Sequence, residues 1–137
     1  MMSSYTNVRA NNDILDAAHN SFERMSREIR AAQGIDNIAS TFDTNPGVLK
    51  INTTDSVGNS ITEQFDINAS TGNLEFTNNG TLTGDLNGGH VEITSLIFRK
   101  ITTTAGLAVR IEMVIQSLRV PNLSMNFTDT IVLRGAY

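Results

Sequence analysis

The sequence has no cysteine and no tryptophan, and few aromatic residues of any kind. Without cysteine, the chain forms no disulfide, offers no thiolate to a metal ion and has no thiol nucleophile. The scarcity of aromatic rings disfavours a groove in which bases or ligand rings stack. No run of about 18 apolar residues is present, so no segment is predicted to cross a bilayer as a helix. The first residues, Met1 to Ser4, also lack the basic and apolar regions of a secretory signal.

Charge is low and evenly spread along the chain. The formal net charge is −4, and the ten lysines and arginines do not cluster. A protein that binds nucleic acid normally needs a basic stripe that displaces phosphate counterions, so no nucleic-acid partner is expected. The length suits one domain, and the absence of repeats and low-complexity tracts predicts a single domain over residues 1–137.

Residues 1–34 are predicted to form an N-terminal helix that acts as a stalk. From Leu15 onward, apolar side chains recur at alternating steps of three and four, which is the spacing of one helix face. Gly34 is suited to end the helix. The first half is mostly polar, which leaves two interpretations: a frayed terminal helix, or part of a longer helix that continues upstream and contacts neighbouring subunits. The apolar positions are Val8, Leu15, Ala18, Phe22, Met25, Ile29 and Ala32.

Residues 47–137 are predicted to form an antiparallel β head, joined to the helix by a connecting loop over residues 35–46. Apolar and polar residues alternate well over 107–118, which predicts a strand with one dry and one wet face. The apolar stripe of the helix is the natural cover for the dry face, so the predicted fold class is α+β, one long helix packed on one antiparallel sheet. A change of alternation phase predicts a β-bulge near Thr94-Ser95, and Asn79-Gly80 predicts a tight hairpin turn.

No reactive constellation is visible in the sequence, so no catalytic, cofactor-binding or metal-binding residue is assigned and no cofactor is expected. His19 and His90 lie far apart, whereas zinc needs three or four ligands at suitable spacing. The run from Asp66 to Gly72 has some features of a calcium loop, but Thr71 occupies the position that requires glycine. A hairpin turn built on Asn68 and its neighbours is the better interpretation.

Several segments, in order along the chain, resemble type IV pilins and the minor pseudopilins of type II secretion, of the J or W kind. The run Phe22–Ala32 is similar to the end of their helix. Ile61, Phe65, Asp66, Gly72 and Leu74 match a hairpin pattern of that family. Val91–Phe98, Ala108–Met113 and Thr130–Gly135 resemble the strands that follow. Each motif is mostly apolar alternation, and the ordered set covers nearly the whole chain.

The resemblance implies a pilin-like fold and a role as a structural filament subunit. The family's helix begins with a Gly-Phe-Thr-Leu-x-Glu signal and about twenty apolar residues, which are absent from this sequence. The resemblance therefore implies a head with part of its stalk, soluble as it stands. The native form would be anchored in the inner membrane and then assembled into a filament of the cell envelope. The implied partners are other pilin or pseudopilin subunits, with no small-molecule substrate.

Three hypotheses for function follow. In the first, the protein is a non-catalytic filament subunit that assembles through the helix. In the second, it is a surface adhesion or ligand-binding module that uses the exposed sheet face and loops. The third, a small enzyme, would require a cluster of buried carboxylates with perturbed pKa values. For the first hypothesis, the predicted assembly interface is Tyr5, Val8, Asn12 and Leu15, and the predicted helix–sheet core is Phe22, Met25 and Ile29.

Overall fold

The structure is a computed structural model that describes residues 2–36, 38–68, 70–87, 89–104, 106–120 and 122–133. Side chains are described from Val8 onward within the first range, and Thr103 is described only by its backbone. The described residues form one helix and eight strands. These are α1 (Met2–Ala31), β1 (Gly34–Ile35), β2 (Leu49–Thr54), β3 (Ser60–Asn68), β4 (Asn73–Asn78), β5 (Thr81–Asp85), β6 (Val91–Thr103), β7 (Gly106–Ser117) and β8 (Ser124–Val132).

The strands form two antiparallel sheets, not one. The first has the order β1-β2-β3-β4-β5 and the second the order β6-β7-β8. The predicted α+β class, one long helix packed on a single sheet as in pilins, is therefore wrong. The fold is mostly β, and its strands hold roughly twice as many residues as the helix. Alternation predicts that a segment is a strand, but it does not say which strand lies beside it.

The chain changes sheet between β5 and β6. Asn87, which is buried, holds this crossing in place: its Oδ1 accepts a hydrogen bond from Leu74 N, and its Nδ2 donates to Val91 O. Its amide therefore joins β4 of the first sheet to the start of the second. Because β6 begins here with a new partner strand, the two halves of the head separate into two sheets.

Local turn and bulge signals in the sequence are confirmed. The register of β6 against β7 shifts between Ile93 and Ser95, at the predicted bulge. Asn79 and Gly80 have φ angles of 50° and 85° and connect β4 to β5, as the hairpin signal predicted. The segment predicted as a connecting loop over 35–46 contains part of β1 and one bridge, Thr41 to Val48.

The helix and both sheets contribute to one hydrophobic core. Its largest fully buried side chains include Phe65 and Phe76 from the first sheet, Phe98 from the second, and Met25 and Ile29 from α1. The single domain predicted over 1–137 stays a prediction. Among the described residues, no helix combines the length and the apolar character needed to cross a membrane.

The buried stripe of α1 differs from the predicted one in its first half. Val8 and Leu15, which were placed in the stripe, are 56% and 49% exposed. Ala10 and Ile14 are fully buried in their place. Small side chains such as alanine allow the helix to lie close to the sheet, so the buried stripe follows them and not the larger apolar residues Val8 and Leu15. The buried helix positions are Ala10, Ile14, Ala17, Ala18, Ser21, Met25 and Ile29.

Candidate functional site

The exposed face of the first half of α1 carries most of the predicted assembly residues. Val8, Asn12 and Leu15 are all exposed, and their spacing of four and three residues places them on one side of the helix. The side chain of Tyr5 lies outside the described part of the chain. Two large apolar side chains, Val8 and Leu15, therefore face solvent on one side of the helix, seven residues apart.

The predicted helix–sheet core residues lie in the second half of α1. Met25 and Ile29 are fully buried, and Phe22 is half-buried at the margin of the core. The ring of Phe22 lies 6.3 Å from that of Phe127 on β8, in a tilted arrangement. Phe22 therefore contacts the sheet at its outer strand, whereas Met25 and Ile29 lie deeper.

A groove of about 480 Å³ runs between α1 and β8. Its apolar lining comes from Leu15, Ala18 and Phe22 on the helix and from Phe127 on the strand, and its polar lining is His19, Glu23, Ser26, Thr128 and Asp129. His19 Nε2 lies 3.0 Å from Glu23 Oε2, one helical turn away. The groove thus unites a residue predicted for assembly, Leu15, with one predicted for the core, Phe22.

A second cluster lies where α1 faces the first sheet. Glu63 on β3 is only 4% exposed and is adjacent to Glu28 and Arg24 of the helix. Arg24 Nε is 3.5 Å from Glu28 Oε1, and the Arg24 guanidinium carbon lies 4.5 Å from the centre of the Phe76 ring. Both Glu63 Oε1 and Arg24 Nε are buried without a hydrogen-bond partner.

This environment favours the neutral form of Glu63. The pKa of its carboxyl is raised to about 8, first by burial and then by the neighbouring Glu28 carboxyl, whereas the Arg24 charge lowers it. A buried acid with a raised pKa is the type of group that acid–base catalysis uses. Here, however, the carboxyl is enclosed between helix and sheet, so no substrate can reach it without the helix moving away.

The burial of Glu63 could have been predicted from the sequence. Glu63 has the same strand parity as Phe65, which is fully buried, so its side chain had to face the core. The proximity of Glu28 had no such signal, because it depends on how the helix crosses the sheet. The contribution of Asp129 and Phe127 to the groove was equally hidden.

The outer face of the second sheet, opposite the helix, carries a network of charges. Arg99 Nε donates to Glu112 Oε2 at 2.8 Å, and its terminal nitrogen donates to Asp43 Oδ1 at 3.1 Å. The Arg99 guanidinium lowers the pKa of the Glu112 carboxyl, and Arg110 contributes less. Beside this network is a shallow cavity of about 270 Å³ that Ile97 lines in part.

Two further polar clusters have structural roles. Arg119 Nε donates to Asp13 Oδ2 at 2.7 Å, which ties the first half of α1 to the connection between β7 and β8. Asn68 Oδ1 accepts a hydrogen bond from Ser70 N, so Asn68 shapes the hairpin turn, as the sequence suggested. No group of three metal-ligating side chains occurs among the described residues.

No protein-family model, no curated protein and no solved structure matches this chain.

Proposed function

We propose that the protein is a non-catalytic structural subunit of a type IV pilus, pseudopilus or related filament, which assembles through the first half of α1. The single observation that carries the proposal is the solvent-facing surface formed by Val8, Asn12 and Leu15. Val8 and Leu15 are about half exposed although both are large apolar residues. Burying them against a neighbouring helix would stabilise an assembly by about 1–2 kcal/mol for each side chain.

The proposed assembly surface is exposed, and its residue Leu15 also lines the groove beside β8. The second half of α1 is committed to the core through Met25 and Ile29, whereas the first half presents one face to solvent. In a bundle of neighbouring helices, Val8 and Leu15 would fill the space between ridges, and Asn12 would supply a polar contact that fixes register. Tyr5 belongs to this proposal only through the sequence-based prediction. A membrane anchor and a place in the cell envelope belong to this proposal through the family resemblance alone.

Cysteine cross-linking tests this proposal directly, because the natural chain has no cysteine. The native gene would be expressed in its own host with the substitution Val8→Cys, and cells would be treated with a short bismaleimide. We expect cross-linked dimers and larger species that contain this protein. The matched control is Leu82→Cys, since Leu82 is also 56% exposed but belongs to β5, the edge strand of the first sheet, and not to the helix.

Two results would count against assembly through the helix. One is cross-linking at Leu82 and none at Val8, which would indicate that the sheets carry the contacts. The other is unchanged assembly in the double variant Val8→Glu/Leu15→Glu. Both side chains are exposed in the isolated chain, so the double variant is expected to fold, and its circular dichroism spectrum checks this.

A second candidate is an adhesion or ligand-binding module that uses the exposed sheet face. The observation that favours it is the shallow cavity beside the Arg99–Glu112 network on the outer face of the second sheet. In that case, Ile97→Asp would abolish binding of cells or filaments to a target surface without affecting Val8 cross-linking. If instead only Val8→Glu/Leu15→Glu removes function, the helix surface is the functional one.

A further inference from the structure

The outer edge of β8 is open. Strand order in the second sheet is β6-β7-β8, and within the described residues no backbone hydrogen bond reaches β8 from a strand or loop other than those on its β7 side. β8 contains no proline, lysine or bulge, which are the usual devices that protect an edge strand. A nine-residue strand with free backbone groups is a template for a further strand.

The two ends of the β7–β8 ladder define which backbone groups are free. Ser117 N donates to Leu123 O, and Leu133 N donates to Leu107 O. The register between these points is continuous, so odd-numbered residues of β8 bond to β7 and even-numbered residues direct their N–H and C=O groups outward. The outward set is Ser124, Asn126, Thr128, Thr130 and Val132. Within this set, Thr130 N already bonds to a side chain, Asp129 Oδ1.

The groove between α1 and β8 lies where an added strand would place its side chains. The odd-numbered residues of β8 face the helix, as the contact between Phe127 and Phe22 shows. A strand paired with β8 would lie about 4.8 Å further out and project alternate side chains toward the same face. There they would meet Leu15, Ala18 and Phe22, which at present line the groove. The helix thus borders a sheet position that no described residue fills.

We propose that β8 and this groove form a docking site for an extended protein segment of about nine residues that pairs antiparallel with β8. Its apolar side chains, at alternate positions, fill the groove, and a lysine or arginine among them meets the acidic rim. Backbone hydrogen bonds hold the segment, and the groove selects its side chains. This inference does not depend on filament formation, since it concerns the isolated head.

Charge identifies the occupant as a basic segment and disfavours a second copy of β8. Among the described residues, the groove is lined by two carboxylates, Glu23 and Asp129, one histidine, and no lysine or arginine. β8 itself carries Asp129 as its only charged residue, and the whole chain has a net charge of −4. Pairing two β8 strands would bring like charges together and supply no cation. A lysine or arginine between Glu23 and Asp129 would form two favourable pairs.

The test uses three matched synthetic peptides and the purified chain. The first is a nine-residue peptide with threonine at even positions, valine at odd positions and lysine in place of the central valine. The second has glutamate in place of that lysine. The third is the lysine peptide with N-methyl groups on the threonine amides, which would face β8 in an antiparallel pair. Its control carries N-methyl groups on the valine amides, which would face solvent.

Binding would be measured by fluorescence anisotropy and by amide hydrogen exchange. We expect the lysine peptide to bind, the glutamate peptide to bind at least about tenfold more weakly, and methylation of threonine amides to remove binding while methylation of valine amides does not. Exchange should slow at Ser124, Asn126, Thr128 and Val132, whose amides point outward. A protein variant, Thr128→Pro, should weaken binding about tenfold, and Thr128→Val should leave it within about twofold.

Several outcomes would overturn the proposal. One is no binding of the lysine peptide at about 1 mM peptide, a concentration in the range of weak affinities. The others are equal binding of the lysine and glutamate peptides, or equal loss of binding with both methylation patterns. A chain that sediments as a dimer until Thr128→Pro is introduced would make a second copy the occupant and would also overturn it. Because the methylated peptides leave the protein unaltered, poor folding of the Thr128→Pro variant does not affect the conclusion.

Discussion

The two edges of the second sheet, β6 with 13 residues and β8 with nine, have opposite surroundings. The edge of β6 is covered by other parts of the chain: Gly47 N donates to Leu96 O, Asp43 N donates to Phe98 O, and Ile93 N donates to Gly72 O. At the edge of β8, no such backbone cover exists among the described residues. The loop between β1 and β2 and the turn at Gly72 therefore cover the edge of β6, whereas the edge of β8 is left available for a partner.

Covering an edge restricts the residues that provide the cover. A Cβ atom at Gly47 would lie 2.9 Å from a Phe98 ring carbon and 3.0 Å from Leu96 O, so the loop can approach β6 only through glycine. By contrast, the open edge of β8 is bordered by Ser124, Asn126 and Thr128, which are exposed and sterically unconstrained. Substitutions should therefore affect stability at the β6 edge and affect binding at the β8 edge.

The largest expected effect comes from proline scanning along β8. Asp129→Pro should lower the free energy of unfolding by about 3 kcal/mol, because it removes a backbone hydrogen bond to β7. Thr128→Pro, one residue away, should cost only about 1 kcal/mol, because its N–H points outward. Urea denaturation measures both, with Asp129→Ala as the control for side-chain loss. Equal costs at the two positions would contradict the assigned register.

A second prediction concerns the pH dependence of stability that the enclosed carboxyl of Glu63 produces. The pKa of Glu63 is 4.5 in the unfolded chain and about 8 in the folded protein. Between these two pH values, Glu63 therefore binds more protons in the folded protein than in the unfolded chain. The contribution of Glu63 to stability is therefore present below pH 4.5 and is lost as the pH rises to 8. Glu63→Gln should be about 2–3 kcal/mol more stable than the natural chain at pH 8.

The difference between the Glu63→Gln variant and the natural chain should shrink toward pH 4.5. Thermal or urea unfolding at several pH values between 4.5 and 8.5 would measure it. If the two stability profiles run parallel over this range, Glu63 is ionised in the folded protein and the interpretation of this cluster is wrong. The difference between the two profiles reports Glu63 together with the Glu28 carboxyl that contacts it, because groups away from this cluster are shared by both proteins.

The third prediction concerns a substitution that disrupts the contact between Gly47 and the covered edge of β6. Gly47→Ala should destabilise the protein by about 1–3 kcal/mol, because two of the three atoms that its Cβ would contact belong to the backbone of β6. Gly89→Ala is the matched control, since nothing lies within 4 Å of a Cβ at that position. It should change stability by no more than about 0.5 kcal/mol. Denaturant midpoints of the two variants measure the contrast, and a neutral Gly47→Ala would show that the loop is not held against β6.

The smallest expected effect concerns the ion pair that holds the helix over β8. Arg119→Ala removes its bond to Asp13, in which both side chains are about one-quarter exposed, and should cost about 1 kcal/mol. The reverse pair, Asp13→Arg with Arg119→Asp, should recover part of this loss. Thermal unfolding of these two variants and the natural chain forms the test. No recovery in the double variant would indicate that Arg119 acts through packing and not through charge.

The sequence predicted local features well, because they depend on neighbouring residues. The bulge near Thr94-Ser95, the turn at Asn79-Gly80 and most strands follow from alternation and turn chemistry. β5 was missed, since its sequence contains a glycine and only one large apolar residue, Leu82. Such a strand forms because β4 supplies a partner, and not because of its own composition.

The arrangement of strands into sheets was not predictable by the same means. Two sheets form because the loop with Gly47 occupies the edge of β6, where a single-sheet fold would place another strand. The candidate sites share this difficulty: Leu15 and Phe22 were assigned to different surfaces, and only the position of β8 brings them into one groove. Periodicity identifies a face of an element, but the neighbour of that face depends on tertiary structure.

The end of α1 has a mechanical consequence. Immediately after the helix, Gln33 N donates to Asn52 O at 2.7 Å, and β1 pairs with β2. Tension applied to the helix would therefore pass into the first sheet through these backbone hydrogen bonds, while the packing of α1 on β6, β7 and β8 passes part of the load to the second sheet. A subunit pulled by its helix would resist as one body, because both sheets would have to yield together.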